Sequence, residues 1–457
     1  MERENQNPES RPAGGPAEDL ESDVPAESGE AEGAEAGPIT AVENPPEPPD
    51  LSSLIIGPES AGEEEAQEPA LSYPVVAFGA SAGGLDAVRE VLSNLDPGTG
   101  MAFVLVTHLA PNQRSYLSEI LERHTRMPVL PLADGQRPLP NHLHVVQPRQ
   151  RVTLQHGVFR VEESSGVERV PDRVIDTFLR SLAADQKNHS IGVILSGADS
   201  DGALGLKAIK AEGGIAIVQT PASAGYAGMP RSSIAADHVD MVLPPAEIAL
   251  ELGRLGHQFM GPDVRSLEEG QAAADNEQVL GKVLQLLRIQ SGLDLRMYKP
   301  ETIRRRVARR MLLLRMERLA DYHRYLQIHA DELRQLQEDI LINVTHFFRD
   351  GGVWESLRQH VLPALVESRP ADRPIRIWCA GCSTGEEAYS LAILVLEYLS
   401  QQGLEIPVQV FGTDASEHSI EIARLATYPE SIASEVAPER LNRYFVKVDR
   451  GYQVAKR

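Results

Sequence analysis

Short apolar runs alternate with amphipathic stretches through residues 73–258. Four of the runs are nearly continuous in apolar side chains and stop at glycine or polar residues, which is typical of buried strands: 75–78, 103–106, 191–195 and 215–218. Between them, apolar residues recur every three or four positions, as Leu85, Val88 and Leu92 do, and this spacing predicts helices. Strands that alternate with helices form parallel βαβ units, so we predict a doubly wound α/β domain with a parallel sheet over 73–258.

The pattern changes after a polar segment, 259–278, which we predict to be a linker. Glycine is scarce and Leu, Arg, Gln and Glu dominate in residues 279–350, so we predict a small all-α module there. Apolar runs return at 375–378 and 408–412, with a helical pattern between them. This order of elements predicts the start of a Rossmann-like domain over 351–457.

The net charge of −22 is concentrated at the N-terminal end of the chain. Residues 1–70 hold 19 acidic and two basic residues, eleven prolines and no aromatic residue, so 17 of the 22 net negative charges lie there. Such a segment cannot bury enough apolar surface to offset its chain entropy, and we predict a disordered acidic leader over residues 1–72. An acidic chain also lacks the cationic surface that phosphate backbones require, so we predict no nucleic-acid binding.

Cysteine usage and hydropathy bear on the compartment. Two cysteines are too few for the disulfide framework of a small secreted domain. No apolar run reaches the roughly 18 residues of a membrane-spanning helix. We therefore predict a cytoplasmic protein without a signal peptide. His142 and His144 alternate on a predicted strand but have no third ligand at useful spacing, so we predict no metal site.

One face of a helix within the all-α module is strongly basic. In residues 298–316 the apolar positions fall on one side, and five arginines occupy the opposite side: Arg304, Arg305, Arg306, Arg309 and Arg310. Residues 281–349 as a whole hold 14 basic and eight acidic residues. Two interpretations remain open, a solvated helix face and a surface that docks an acidic partner helix.

Three side chains of catalytic type, Ser81, His108 and Asp201, each come shortly after one of the apolar runs. The carboxyl ends of parallel strands meet at one edge of a sheet. A serine needs an imidazole to take its proton, and a buried carboxylate orients that imidazole. The glycines around Ser81 also fit a tight turn or a phosphate cradle, so the spacing alone leaves a serine hydrolase and a structural turn both open.

Four separated motifs resemble the catalytic domain of the chemotaxis protein-glutamate methylesterase CheB. They are Val76–Gly84 (VAFGASAGG), Thr107–Leu109, Leu195–Gly205 (LSGADSDGALG) and Gly228–Arg231. The resemblance implies hydrolysis of γ-glutamyl methyl esters on receptors with release of methanol and without a cofactor. It assigns Ser81 as the nucleophile, His108 as the base and Asp201 as the residue that orients the base.

The sequence departs from the CheB pattern at three positions: Ala82, Ala198 and Asp199. Ala82 replaces a threonine, and Ala198 with Asp199 replaces a Met-Gly pair, which makes Asp199 a decoy beside Asp201. The family usually carries a phosphoacceptor receiver domain at its N-terminus. The leader, residues 1–72, is too short for one and has no strand pattern, so regulation by phosphorylation in cis is not supported.

A second glycine-bearing turn, Cys379–Glu387 (CAGCSTGEE), lies between a predicted strand and a predicted helix, where a ligand can approach the backbone. Cys379 and Cys382 form a C-x-x-C pair without thioredoxin-like surroundings, so we favour packing over a redox role. Asp414 ends the next strand, where an acidic residue holds a ribose diol. No cluster of lysines that could bind phosphate groups follows, so the pattern favours an adenosine ligand without phosphate.

Three motifs resemble the receptor methyltransferase CheR: 343–349 (NVTHFFR), 377–390 (IWCAGCSTGEEAYS) and 411–414 (FGTD). The resemblance implies an all-α module followed by an S-adenosylmethionine domain that methylates receptor glutamates. By motif, six residues approach the cofactor: Asn343, Thr345, Arg349, Gly381, Glu386 and Asp414. Ala388 departs from the family, which commonly has proline there.

Family members continue beyond the region aligned with 440–452, through the rest of the cofactor sheet. We therefore expect either a fragment of a longer chain or a transferase half that is inactive or poorly folded, with an exposed apolar sheet face and little S-adenosylmethionine binding. Our main hypothesis is a CheB/CheR fusion that acts on a methyl-accepting receptor and meets the membrane only through it. The alternative is a non-catalytic signalling scaffold that binds partners through its basic helices and acidic tail.

Overall fold

The computed structural model describes residues 71–108, 116–163, 173–236, 239–259, 274–341, 345–370, 373–449 and 451–456. The predicted leader therefore lies outside the described residues, except for its last two positions. Asn343, one of the predicted cofactor residues, also lies outside them. Within the described ranges, no helix is long and apolar enough to cross a bilayer.

The first part of the described chain is built on a parallel sheet. Its strands are β1 (Val75–Ala80), β2 (Ala102–Thr107), β3 (Val129–Pro131), β4 (Leu143–Val145), β5 (Gln150–Gln155), β6 (Val158–Glu163), β7 (Ser190–Ile194), β8 (Ile215–Gln219) and β9 (Met241–Leu243). Its helices are α1 (Gly84–Asn94), α2 (Leu117–Leu121), α3 (Val174–Gln186), α4 (Ala203–Ala211), α5 (Gly228–Ala235) and α6 (Pro245–Phe259). Seven strands form one sheet in the order β3-β4-β2-β1-β7-β8-β9, and β5 pairs with β6 in a separate hairpin. The predicted doubly wound α/β fold is confirmed.

Both faces of this sheet are covered, which explains why its strands are continuously apolar. Alternate side chains of β1 enter two different cores. Val76 and Phe78 pack with α1 and α6 on one face, whereas Val75 and Ala77 pack with α3 on the other. All six residues of β1 are buried.

The strand order changes direction between β1 and β7. From β1 the chain crosses to β2 on one side, and from β7 it crosses to β8 on the other side. A crevice opens outside the carboxyl ends of two such strands, because the helices that follow them leave on opposite faces. The sheet therefore places its natural site at the loops after β1 and β7.

The helical module consists of α7 (Ala274–Ser291), α8 (Pro300–Leu313), α9 (Leu319–Ile328) and α10 (Ala330–Ile340). Its core includes Ile303, Val307 and Met311, as the apolar stripe of the sequence predicted. The predicted linker, 259–278, ends too late, because α7 already begins at Ala274. The first turn of α7 is polar and acidic, which suits a helix N-terminus. Because this turn has few apolar residues, the spacing of apolar positions does not reveal it.

The basic face of α8 is neither solvated nor free to dock a partner, so both interpretations of it are wrong for three arginines. Arg306, Arg309 and Arg310 are 4%, 1% and 8% exposed. Arg306 donates to the carbonyl oxygen of Lys210 at 2.9 Å and to that of Ala211, at the end of α4. Helix ends leave carbonyl groups without partners, and an arginine fork satisfies several at once. Arg306 and Arg309 thus face the parallel-sheet part of the chain, whereas Arg310 pairs with Glu332 inside the module.

The last part of the chain contains a small parallel sheet and a small antiparallel one. Its helices are α11 (Gly351–Ser356), α12 (Leu362–Ser368), α13 (Glu386–Gln402), α14 (Glu417–Leu425) and α15 (Pro438–Tyr444), with a π-helical turn, Leu357–Val361, joining α11 to α12. Its strands are β10 (Ile375–Ala380), β11 (Val408–Thr413), β12 (Thr427–Pro429), β13 (Phe445–Val448) and β14 (Gly451–Val454). β10 pairs in parallel with β11, and the antiparallel sheet has the order β12-β14-β13. Trp378 and Phe411 are paired across β10 and β11 and are 71% and 45% exposed.

Candidate active site

The carboxyl ends of β1, β2 and β7 bring Ser81, His108 and Asp201 together. The register pairs Ala80 with Thr107, so the next residues on the two strands, Ser81 and His108, are neighbours. The Ser81 hydroxyl oxygen lies 3.2 Å from Nδ1 of His108. Nε2 of the same ring lies 3.0 Å from Oδ2 of Asp201. The three residues predicted as a triad therefore form one connected chain of hydrogen bonds.

The carboxylate of Asp201 is buried and fixed by backbone amides. It is 4% exposed, and it accepts hydrogen bonds from the N–H groups of Ile175 and Asp176, both at 2.9 Å, and of Gly202 at 2.8 Å. Burial by itself would raise the pKa of Asp201, but the hydrogen bonds from His108 and from the amides of Asp176 and Ile175 outweigh it and lower the pKa. The group is therefore ionised at neutral pH.

The ionisation of Asp201 assigns the proton on His108. A carboxylate only accepts hydrogen bonds, so Nε2 of the imidazole carries the proton and Nδ1 keeps its lone pair toward Ser81. This is the tautomer that can take a proton from the serine hydroxyl. The His108 side chain is 27% exposed, so the reacting edge of the ring is open to a substrate.

The loop of Ser81 is tied to the end of β7 through Ser196, which sequence reasoning missed. The Ser81 N–H donates to the Ser196 carbonyl at 2.9 Å, and the Ser196 hydroxyl donates to the Ala82 carbonyl at 2.8 Å. Gly83 has φ +69°, and a Cβ there would lie 2.9 Å from the Ser196 hydroxyl oxygen. Helix α1 begins at Gly84, whose N–H donates to the Ser81 carbonyl at 2.9 Å, so the positive end of the α1 dipole lies beside Ser81.

A second buried carboxylate, Asp176, lies behind Asp201. Its Oδ2 accepts from Arg173 at 3.0 Å, and its Oδ1 accepts from the Gly205 N–H at 2.7 Å. Burial, and then the charge of Asp201, raise the pKa of Asp176 to about 6. Sequence reasoning did not single out Asp176, since a lone aspartate at a helix start is an ordinary capping-type residue.

The predicted cofactor residues fall into two pairs and one outlier. Lys207 of α4 donates to the Thr345 carbonyl at 2.8 Å and lies 3.5 Å from Oε1 of Glu386, so Thr345 and Glu386 share a neighbour. Gly381 and Asp414 lie at the ends of β10 and β11, where the Gly381 N–H donates to the Thr413 carbonyl at 2.7 Å and Asp414 accepts from the Ser383 N–H at 2.8 Å.

Arg349 is the outlier among the predicted cofactor residues. Its side chain is 56% exposed, and its guanidinium lies 3.8 Å from the carboxylate of Asp350. The two pairs described above are therefore the part of the predicted set that the fold gathers at the β10–α13 turn and beside α4.

The comparisons with known proteins divide the chain in the same way. The family model described as CheB methylesterase matches residues 76–252. A putative protein-glutamate methylesterase/protein-glutamine glutaminase of Leptospira interrogans is 32% identical over 202 residues, which is 44% of this chain and all of the relative. The chain belongs to the CheB methylesterase family. The models for the all-alpha domain and the SAM binding domain of CheR methyltransferase match residues 279–341 and 343–457, so the chain is a CheB/CheR fusion.

Other relatives of this CheB/CheR fusion are longer than the region they share with it. The protein-glutamate methylesterase/protein-glutamine glutaminase of Bordetella pertussis is 34% identical over 199 residues, 41% of this chain and 56% of that protein. A 104.1 kDa protein of Rhodobacter capsulatus is 32% identical over 348 residues, 72% of this chain, and the fusion spans only 36% of it. The crystal structure of the Thermotoga maritima CheB methylesterase catalytic domain is 28% identical with a TM-score of 0.38, and covers 40% of this chain and all of that one.

The turn between β10 and α13 of the CheB/CheR fusion fits a zwitterionic cofactor with hydroxyl groups. Glu386 is 4% exposed and accepts from the Thr384 hydroxyl at 2.5 Å, so a carboxyl group is buried there. The hydroxyl oxygen of Ser383 is buried and has no hydrogen-bond partner in the part of the chain that the structure describes. Gly381 has φ +73° with open space beside it, which leaves the backbone accessible. A carboxyl group, a hydroxyl and an uncovered backbone are groups that can hydrogen-bond the amino acid and ribose ends of S-adenosylmethionine.

His144 and the cysteine pair of the fusion serve packing. His144 is fully buried, its Nε2 accepts from the Leu139 N–H at 3.0 Å, and burial lowers its pKa to about 4. Cys379 and Cys382 are buried, unpaired thiols. Among the described residues, no group of three or more His, Cys, Asp or Glu side chains is placed to hold a metal ion.

Proposed function

We propose that residues 73–258 hydrolyse γ-glutamyl methyl esters on a signalling receptor, with Ser81 as nucleophile, His108 as general base and Asp201 as its orienting carboxylate. The observation that carries this proposal is the continuous hydrogen-bond chain from the Ser81 hydroxyl through His108 to a buried, ionised Asp201. It lies at the switch point of the sheet, inside the region that matches CheB methylesterase.

The geometry supports a two-step acyl transfer. Nδ1 of His108 takes the hydroxyl proton while the Ser81 oxygen attacks the ester carbonyl, and the oxyanion develops near the N-terminus of α1. Nδ1 then returns its proton to the departing methoxide, and methanol leaves an acyl-serine. A water molecule repeats the cycle, which regenerates the serine and releases the glutamate carboxylate. The esterase half needs no cofactor in this scheme.

We further propose that residues 279–457 bind S-adenosylmethionine and direct it to receptor glutamates. The six residues proposed to hold it are Asn343, Thr345, Arg349, Gly381, Glu386 and Asp414. When bound, S-adenosylmethionine supplies an electrophilic methyl group, and the glutamate carboxylate is already a competent nucleophile. The task of the chain is then to orient the two reactants, and buried Glu386 with Ser383 favours the amino acid end of the cofactor.

The proposed partner is a methyl-accepting or related receptor, met from the cytoplasm, so the protein is peripheral to membranes and binds no nucleic acid. The scaffold alternative relied on free basic helices and on the acidic tail, which lies outside the described residues. Burial of Arg306, Arg309 and Arg310 removes most of that surface, so we retain the enzyme. The proposed divisions are a leader to residue 72, the esterase at 73–258, the helical module from 279 and the cofactor domain from 351.

The test is methanol release from receptor membranes that carry radiolabelled methyl esters. We expect Ser81→Ala to lower the rate by at least about 10³-fold, because removal of a triad nucleophile leaves only binding and oxyanion stabilisation. Ser93→Ala is the matched control, since that hydroxyl lies on the exposed side of α1 and reaches only the His124 carbonyl at 3.4 Å. Release by Ser81→Ala at the rate of the control would refute the assignment.

A further inference from the structure

A third carboxylate, Asp199, lies beside the imidazole of His108. Its Oδ2 is 3.6 Å from Nδ1, the nitrogen that also faces the Ser81 hydroxyl at 3.2 Å. Asp201 approaches the opposite nitrogen, Nε2. The ring therefore has one carboxylate at each nitrogen, and only the one at Nε2 belongs to the triad. Asp199, predicted to be a decoy for the triad aspartate, lies instead beside the nitrogen that faces Ser81.

The loop that carries Asp199 is fixed on both sides. Its Oδ1 accepts from the N–H of Asp201 at 3.0 Å. On the other side the loop packs against the start of α5, so closely that a Cβ on Gly228 would lie 2.2 Å from the Ala198 carbonyl oxygen and 3.0 Å from that of Asp199. The carboxylate is thus held near Nδ1 by its own hydrogen bond and by the backbone, although its side chain is 54% exposed.

The two protonation states of His108 interact differently with this carboxylate. In the neutral ring, Nδ1 presents a lone pair, and a carboxylate has only lone pairs to offer in return. Once Nδ1 has taken the serine proton, it becomes a charged donor next to an anion, which is attractive. Asp199 therefore discriminates between the resting base and the imidazolium that exists while the oxyanion exists.

We propose that Asp199 is a positioning residue that stabilises the imidazolium form of His108 from its serine-facing nitrogen, so that the esterase works with two carboxylates around one imidazole. This inference rests on the proposed triad. Asp201 of the same loop contacts the opposite nitrogen, Nε2, and the Asp176–Arg173 pair lies behind Asp201 at the start of α3. Asp199 therefore acts on the side of the ring that faces Ser81.

The test is the pH profile of kcat/KM for methyl ester hydrolysis by Asp199→Asn in the full chain. Asparagine keeps an oxygen for the Asp201 N–H and removes only the charge. Without the anion the imidazole loses its proton more readily, so we expect the acid limb to move to lower pH by about half a unit, as suits a half-exposed pair. The plateau of kcat should fall about two- to five-fold, since the transition state contains the imidazolium.

Controls separate this proposal from the triad and from general charge effects. Asp96→Asn removes one charge from the exposed loop between α1 and β2, at the amino end of the sheet and away from the triad, and should leave the acid limb in place. If the acid limb of Asp199→Asn stays in place or moves to higher pH while Ser81→Ala is inactive, the proposed role of Asp199 is wrong and the triad assignment stands. Full activity of Ser81→Ala would instead overturn the triad.

Discussion

The buried arginine of α8 offers the sharpest test of how the esterase and the helical module are joined. Arg309 is 1% exposed and donates to Oδ1 of Asp240 at 2.5 Å, to the Gly214 carbonyl at 3.0 Å and to Asp339. Asp240 and Gly214 belong to the esterase, and Asp339 belongs to α10. We expect Arg309→Met to destabilise the chain by about 3–5 kcal/mol, because it leaves buried carboxylates without their main partner.

The structure places the loss toward the lower end of that range. Asp240 keeps Lys210 at 3.6 Å and the Ala216 N–H at 2.9 Å, so its charge stays partly compensated. Asp339 keeps Arg310 at 3.8 Å. Methionine also fills most of the arginine's apolar volume, so a cavity adds little. We therefore expect about 3 kcal/mol, and Asp240→Asn added to Arg309→Met should recover part of it.

Urea unfolding followed by circular dichroism measures the loss. Arg324→Ala is the matched control, because that side chain is 72% exposed and pairs only with Asp321 of its own helix, so its loss should stay within about 0.5 kcal/mol. If Arg309→Met unfolds with the same midpoint as this control, the buried cluster does not hold the two parts together.

The pH dependence of the unfolding free energy of Arg309→Met tests the same cluster of buried charges. Burial opposes ionisation of Asp240, but Arg309 and then Lys210 outweigh it and lower its pKa, so in the wild type this carboxylate contributes stability above about pH 4 that is lost at lower pH. Without Arg309, burial raises the pKa of Asp240, so the ionised carboxylate destabilises the variant at pH 7 and its protonation at lower pH removes that destabilisation. The difference in unfolding free energy between wild type and variant should therefore narrow as the pH falls from 7 toward 4.

Two further outcomes concern buried titratable groups. Burial and Asp201 raise the pKa of Asp176 to about 6, so its contribution to folding stability is complete below about pH 4 and is lost as the pH rises through 6. Asp176→Asn should abolish this pH-dependent loss of stability. A difference in unfolding free energy between wild type and variant that stays constant from pH 4 to 7 would contradict this. Burial and then Glu387 raise the pKa of the Cys379 thiol to about 12, so little thiolate forms at pH 8. Iodoacetamide at that pH should therefore alkylate Cys379 at least about tenfold more slowly in the folded chain than in urea. Equal alkylation rates by mass spectrometry would refute this.

The meeting of Ser81 and His108 was predictable because each residue directly follows a parallel strand, whereas Asp201 lies beyond the end of β7 and was assigned by the family resemblance. Apolar runs marked β1, β2 and β7 to within two residues, and parallel strands align their carboxyl ends. The groups that make the site work were not predictable. Asp201 is fixed by amides at the start of α3, a contact across 25 residues of chain, and backbone donors leave no signature in a sequence.

The fate of the basic helix shows a second limit of sequence reasoning. Helical periodicity correctly separated the apolar stripe of α8 from its arginines, but periodicity cannot say what faces the second side. The partners of Arg306 and Arg309 include the carbonyl oxygens of Lys210 and Gly214, which every residue type possesses. A charged face that is buried by backbone acceptors therefore looks identical, in sequence, to a charged face in water.

One helix connects the two proposed sites, and this bears on how opposed activities coexist in one chain. Helix α4 follows directly on Asp201 and Gly202, and nine residues of α-helix span only about 14 Å. Its Lys207 donates to the Thr345 carbonyl beside Glu386, and its last carbonyls accept from Arg306. The same helix thus begins beside one of the amides that bind the triad carboxylate, the Gly202 N–H, and contacts the CheR-like part through Lys207. The two halves are therefore joined through a shared structural element as well as through the chain.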